Sequence, residues 1–392
     1  MNNIKLLENI TDQLLSFIKT NSTAQAESIM TRSTKTYTDP EYFNIEKESW
    51  LKHPQLMCFT QDIPKSGNFV ALEQWPIPVL IVRDSNGIVH AFLNACPHRN
   101  GKLKSGKGKC SVISCPYHAW NFDLNGNLIK VFEEHTFGDI DKKQHGLTQL
   151  VCKERHGMIF VVLDTDITAL DIDEHLGDIA PELKRWELEN LTLVASKEMH
   201  INCNWKLAIE TFSEGYHFEP LHKESVGDYA IGNCCQFEVF GNKKQHHRIA
   251  FPNKSIKELI DKPKSEWGNE QVLFKNFQLV HFIFPNIILL ISPIEVEFFQ
   301  IIPGDNVGQH TTIYSSYVRN PELLSTDKQI EAANAHFEFI AKVVIDEDYD
   351  MVATIQKTLE ATKGNRVANY GKNEPALHNL YRNFHGLLLN ND

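Results

Sequence analysis

The chain predicts an α+β protein in two parts, an all-β module followed by an antiparallel sheet closed by a long helix. Three observations carry this. Between about residues 50 and 163, short apolar runs such as PVLIV and GMIFVVL alternate with the turn signals SGN, DSNG and LNGN. Farther along come longer strand-like runs: LTLVASKEMH, NFQLVHFIF, NIILLIS, VEFFQIIP and HTTIYSSYV. A helical repeat then runs from about 327 to 361. Before all of these, Ile4, Leu7, Ile10, Leu14 and Phe17 recur at helical spacing and predict an amphipathic first helix rather than a signal peptide. The expected division is an N-terminal helical segment 1–45, a first domain 46–165 and a second domain 166–392, with the acidic stretch DTDITALDIDEHLGDIAPEL read as a linker.

Length and charge narrow the function. The 392 residues suffice for two cores, and the net charge of −11 argues against nucleic acid or an anionic membrane as main partner. No run approaches the roughly 18 apolar residues of a membrane span. The eight cysteines sit in a chain without an export signal, so metal binding is favoured over disulfides and the expected location is cytoplasmic.

The most specific motif is CPHRNG followed by CPYHAWNFDLNG. It gives Cys96-x-His98, sixteen intervening residues, then Cys115-x-x-His118. Each half offers one thiolate and one imidazole at the tip of a tight loop, which suits a Rieske [2Fe–2S] cluster with the cysteines on one iron and the histidines on the other. Pro97 and Pro116 fix φ within the loops, and Gly101 and Gly126 permit reversals. A structural Cys₂His₂ zinc site is the competing reading, but zinc fingers pair like ligands within each half, whereas here the types alternate.

These motifs, with the lead-in SGNFVALEQWPIPVLIVRDSNGIVHAFLNACPHRNGKL, resemble the Rieske-type non-haem iron (ring-hydroxylating) oxygenases, α or oxygenase subunit. Asn100 departs from the glycine that commonly follows the arginine there, with Gly101 expected to take up the turn. The resemblance implies an all-β Rieske domain and a helix-grip (START-like) catalytic domain. It also implies monooxygenase or dioxygenase chemistry with O₂, a mononuclear Fe(II), a homotrimer, and NAD(P)H electrons delivered by a separate ferredoxin or flavin reductase. Substrates in the family include aromatic compounds and quaternary amines, hydroxylated or demethylated.

The run NWKLAIETFSEGYHFEPLH resembles the family's second iron signature. Trp205, Ile209, Phe212 and Tyr216 form one helical stripe, with Glu210, Glu214 and His217 beside it. His222 would lie about 140° from His217 in an unbroken helix. Pro220 is expected to break the helix after His217 and turn His222 back to share one ion; satisfied core histidines are the plainer alternative. On the closing helix Phe337, Ala341, Val344, Asp348, Met351 and Ile355 recur at four-three spacing, all apolar except Asp348. Asp346 and Asp350 fall on the solvent side. A lone carboxylate on a buried stripe wants a cation, and the resemblance makes the third ligand an aspartate on this helix, so Asp348 completes the expected triad, with Glu347 the runner-up.

The resemblance also gives Glu214 a role. It would bridge the two metal centres by bonding His118 of the partner subunit, although an aspartate is commoner in that place; a surface glutamate paired with a lysine is the alternative. Glutamate there is found in members acting on quaternary amines. If the second iron is absent, the same domains would make an electron-transfer or ligand-binding protein without turnover.

Overall fold

The computed structural model describes residues 3–389; the first two positions of the expected N-terminal segment and the last three of the expected second domain lie outside them. The chain folds as two compact units. One comprises Leu51–His175 with Glu187–Asn190; the other takes the residues up to Trp50, Leu176–Trp186 and those from Leu191 onward.

The first unit is mainly β. Gln149–Leu150, Val89–Leu93, Val79–Arg83, Asn68–Leu72 and Lys107–Lys109 form a five-stranded antiparallel sheet in that order. The run Val79–Arg83 is buried along its whole length, which fits its central place. Cys152–Arg155, Met158–Val161 and Gln55–Phe59 make a second sheet, and Ile113–Ser114, Asn121–Phe122 and Leu128–Lys130 a third. Leu80, Val82, Phe92, Ile113, Trp120 and Phe122 are among its core residues. Gly126, at φ +86°, turns the chain where a Cβ would sit 2.5 Å from the Phe92 ring, so only glycine fits.

The second unit is built on a seven-stranded antiparallel sheet in the order Thr192–Ile201, His310–Val318, Glu295–Pro303, Ile287–Ile291, Phe277–Ile283, His246–Pro252 and Gln236–Phe240. All five runs read as strands are strands; the last two in this order carry too many polar residues to stand out by pattern. The expected N-terminal helix spans Asn3–Thr20 and buries Leu7, Ile10 and Leu14. The C-terminal tail is ordered, with Val367–Tyr370 pairing with Met30–Ser33 ahead of a helix Pro375–Asn383.

Two expectations are corrected here. The acidic stretch 164–183 is more than a linker: it holds the helices Ile172–Leu176 and Ala180–Arg185. Leu176, Ile179, Leu183 and Trp186, at three-four-three spacing, are fully buried, and Glu182 bonds Arg248 and His281 of the sheet. The closing helix is not one regular helix. Asp327–Val343 and Asp350–Ala361 are α-helical, joined by a π-helical turn at Val344–Tyr349. The extra residue moves the downstream buried face by one position. Phe337, Ala341, Val344 and Asp348 are buried as expected, but the stripe continues through Val352, Gln356 and Leu359, leaving Met351 and Ile355 exposed.

The helix that leads into the candidate site, Trp205–Thr211, is capped by Asn204, whose side chain accepts from the Lys206 backbone N–H. It is anchored by a fully buried ion pair between Lys206 and Glu46 of the helix Pro40–Leu51. Burial pushes Glu46 up and Lys206 down, and each partner offsets only part of the other's shift. Lys206→Met is expected to cost about 3–5 kcal/mol by stranding a buried carboxylate, and pairing it with Glu46→Leu should recover most of that loss; chemical denaturation of the three variants measures both.

Candidate metal centres

In the first unit both Cys–His loops share one backbone design. The Cys96 N–H donates to the Gly101 carbonyl and the Cys96 carbonyl accepts from Asn100; the Cys115 N–H donates to the Trp120 carbonyl and the Cys115 carbonyl accepts from Ala119. The fourth residue after each cysteine is left-handed, Asn100 at φ +57° and Ala119 at φ +52°. Asn100 thus makes the turn itself, which asparagine tolerates better than most residues, and Gly101 is not the residue that takes it up.

The loops bring all four expected ligands together, divided by type. The thiols of Cys96 and Cys115 are buried against each other, while the rings of His98 and His118 meet at 4.8 Å between centroids. Burial and the second thiol push Cys96 up to about 11, against the pull of the His98 and Arg99 N–H groups aimed at its sulfur. A thiolate there needs a cation. His118 Nδ1 is buried without a hydrogen-bond partner, and His98 is held flat against Trp120 at 4.8 Å. Two sulfurs on one side and two imidazoles on the other fit a two-iron cluster. Among the described residues, the donor sets that close on a single point lie elsewhere.

The second unit holds such a set. Ligand atoms of His217, His222 and Asp348 lie within 4.8 Å of one another. His217 Nε2 is 3.1 Å from His222 Nε2, and the two lie 3.4 and 3.2 Å from Asp348 Oδ1. The proton positions follow from the far side of each ring. His217 Nδ1 donates to the Glu214 carboxylate and His222 Nδ1 to Glu347 Oε2 at 2.7 Å. A carboxylate accepts only, so each Nδ1 carries the hydrogen and each Nε2 presents a lone pair. Asp348 Oδ1 is buried and lacks a hydrogen-bond partner. Three acceptors facing one point is the arrangement a 2-His-1-carboxylate iron site requires. Without a cation, protons must neutralise the cluster. Burial disfavours a charged His217, yet Asp348 and Glu214 outweigh it and raise its pKa to about 10; burial likewise works to raise Asp348, but the two imidazoles hold it low.

The local chain path differs from expectation. The helix ends at Thr211, and Pro220 sits inside a separate short helix, Phe218–Leu221, where its missing N–H costs nothing because first-turn N–H groups lack helical partners. The break falls instead at Ser213–Tyr216: a Cβ on Gly215 would lie 3.0 Å from the Phe251 ring, and Tyr216 is 63 % exposed rather than on the buried stripe. Glu347, the runner-up ligand, lies behind His222, where Ser225 also bonds it at 2.8 Å.

A second convergent set, Glu295, Glu297 and His336, differs in one respect. Its buried carboxylate, Glu297, already accepts from Tyr314 at 2.6 Å and Ser316 at 3.1 Å. No orphaned atom there asks for an ion.

Beside the triad lies a cavity of about 430 Å³, lined by His217 and Asp348 together with Glu210, Glu214, Glu374, Arg366, Tyr37, Tyr370, Met351 and Ile355. Sequence reasoning placed Glu210 on the same stripe as Glu214 but gave it no task, and missed Tyr37 and Tyr370, which come from segments without a motif.

Residues 53–163 match the model of the Rieske [2Fe–2S] domain, and residues 188–388 that of the ring-hydroxylating alpha subunit, catalytic domain. The glycine betaine monooxygenase oxygenase subunit of Chromohalobacter salexigens is 34% identical over 239 residues, 60% of this chain and 50% of the relative. The chain spans about half the length of the first such relatives. The carnitine monooxygenase oxygenase subunit of Escherichia coli K12 is 28% identical over 87% of both chains. Among solved structures, a quaternary ammonium Rieske monooxygenase with L-carnitine covers 96% of this chain and 98% of its own at TM-score 0.74 and 20% identity, which shows a shared fold.

Asp348→Ala is expected to keep the visible absorption of the cluster and lose the iron beyond the cluster pair, read as the iron-to-sulfide ratio. Glu347→Gln should leave the ratio intact as purified but weaken Fe(II) retention about 10–100-fold against a chelator, because it loosens the hydrogen bond that orients His222.

Proposed function

Because the chain belongs to the ring-hydroxylating alpha-subunit family, we propose that it is the oxygenase component of a Rieske monooxygenase acting on a quaternary amine. The observation that carries this is the meeting of two imidazole lone pairs and an orphaned carboxylate oxygen at His217, His222 and Asp348. These three would hold Fe(II), and Cys96, His98, Cys115 and His118 the [2Fe–2S] cluster; when bound, they supply O₂ activation and single-electron transfer.

The domain division proposed is 1–45, a Rieske domain 46–165 and a catalytic domain 166–392. The two family matches support the Rieske and catalytic parts of this division, whereas the compact units group the residues up to Trp50 with the catalytic part. The electrons come from NAD(P)H through a separate ferredoxin or flavin reductase. Glu214, already bonded to His217, would take His118 of the partner subunit on its other side and link protomers of a trimer. No helix among the described residues is long and apolar enough to cross a membrane, and a cytoplasmic location suits a chain served by NAD(P)H.

The cavity supports the choice of substrate. Glu214 and Glu374 lie in its lining with Arg366, and a betaine carries the matching ammonium and carboxylate. Tyr37 and Tyr370 add aromatic lining. Hydroxylation of a carbon next to the ammonium nitrogen consumes O₂, two electrons and two protons, releases water, and leaves a product that splits into an amine and a carbonyl compound.

The test is a single turnover of reduced, iron-replete protein, with betaines or aromatic acids added before O₂. Betaines are expected to speed reoxidation of the cluster and release an amine. Acceleration and oxygenation by aromatic acids alone would overturn the substrate class; no acceleration and no product from either class would favour a carrier without turnover.

A further inference from the structure

The reaction proposed above needs two protons inside a cavity, and neither Asp348 nor the two histidines can spare one while they hold a metal. Glu210 is the one carboxyl on the helix Trp205–Thr211, four residues before Glu214 in the loop that follows, and its side chain lies in the same cavity lining as His217 and Asp348. Three phenols from three separate elements gather around it, two bonded to it and the third bonded to one of those two. Tyr37, ending the 3₁₀ turn Thr34–Tyr37, donates to Glu210 Oε1 at 2.7 Å, and Tyr381 of the helix Pro375–Asn383 donates to the same oxygen. Tyr370, ending the strand Val367–Tyr370, lies with its hydroxyl 2.5 Å from that of Tyr37.

We propose that Glu210, carried by Tyr37, Tyr370 and Tyr381, is the proton-loading carboxyl of this cavity, taking up a proton from the solvent side and releasing it toward the reacting oxygen. The inference rests on the oxygenase reading. The balance is simple: Glu210 in its acid form gives one proton and becomes carboxylate, the phenols hold that anion, and reprotonation from water resets it. A second cycle supplies the second proton. The mouth of the cavity is exposed at Val367 and Met351, which gives water access.

The surroundings suit a group that changes charge. Burial pushes Glu210 up to about 7, more than the bonds from Tyr381 and Tyr37 and the nearby Lys206 pull it down, and Glu374 adds to the rise. Lys206 is committed to Glu46, and Cys203 is held neutral by burial, so neither takes over the proton. The phenols of Tyr37, Tyr370 and Tyr381 are all raised by burial first and by Glu210, which keeps them protonated as donors. A group with a raised carboxyl pKa is loaded below that value and empties above it. The proton-dependent step should therefore slow as pH rises through about 7.

The alternative is a purely structural staple between the N-terminal turn, the C-terminal tail and the central helix. Glu210→Gln separates the two, because an amide oxygen still accepts both phenol hydrogens but carries no titrating proton. In the holoprotein, infrared difference titration is expected to show carboxylic acid absorption with a midpoint near 7 that loses the Glu210 share in E210Q, leaving the part due to Glu297, which burial also pushes up to about 7. E210Q should keep its iron and sulfide and its melting temperature, form product roughly a hundredfold more slowly at low pH, and lose the pH limb. Tyr37→Phe, which removes a donor to the anion, should move the limb and the band to higher pH, and it decides the matter if E210Q does not assemble. A native rate and pH profile in E210Q, a band that does not titrate, or an unmoved midpoint in Y37F overturns the proposal and leaves the oxygenase reading standing. A native chain that makes no product from any compound overturns that reading, and this one with it.

Discussion

Everything in the catalytic unit is subordinate to one constraint: two imidazoles and a carboxylate must point unshared electron pairs at the same place, away from water. Without a metal such a cluster takes up protons. Glu214 and Glu347 set the ring orientations by holding a hydrogen on the outer nitrogen of each, so that both inner nitrogens face the same point. Ser225 fixes Glu347 in turn. The helix Trp205–Thr211 that carries the first approach to this point is itself pinned by Lys206 and Glu46, which meet as a buried ion pair.

The two metal centres solve opposite problems. In the Rieske unit the donors are soft and separated by type, and the loops that present them are near copies of each other, each turning through a left-handed residue. In the catalytic unit the donors are harder and converge, and they come from two distant pieces of chain: His217 and His222 cap the two ends of the short helix Phe218–Leu221, and Asp348 sits in a π-helical turn. Local repetition builds the first and long-range packing builds the second.

This difference governs what could be read in advance. Cys96, His98, Cys115 and His118 are near in sequence and bracketed by proline and glycine, so spacing alone brought them into view. His217 and His222 were also visible, but the reason they meet was not. Pro220 looks like a helix breaker on paper, whereas the helix already ends at Thr211, ahead of Gly215, where the ring of the distant Phe251 leaves little room for a Cβ. Asp348 was legible as the polar member of an apolar stripe. The task of its neighbour Glu347 depends on which side of the helix faces His222, and no one-dimensional pattern reports that. Tyr37, Tyr370 and Tyr381 are a further step removed: each is an ordinary core aromatic until the fold places two hydroxyls on one carboxylate and a third on one of those two.

The one-residue slip in the closing helix divides labour along its length. Upstream of Asp348, side chains such as Phe337 and Ala341 are committed to the interior; downstream, Val352, Gln356 and Leu359 take over that duty, which releases Met351 and Ile355 to form the cavity wall. Had the helix run without the slip, Met351 and Ile355 would be buried on one stripe with Asp348. With it, the wall combines Val352 and Leu359, which also hold the helix, with Met351 and Ile355, which do not. Positions 351 and 355 are therefore where the shape of the wall can change without opening the buried stripe that carries Asp348.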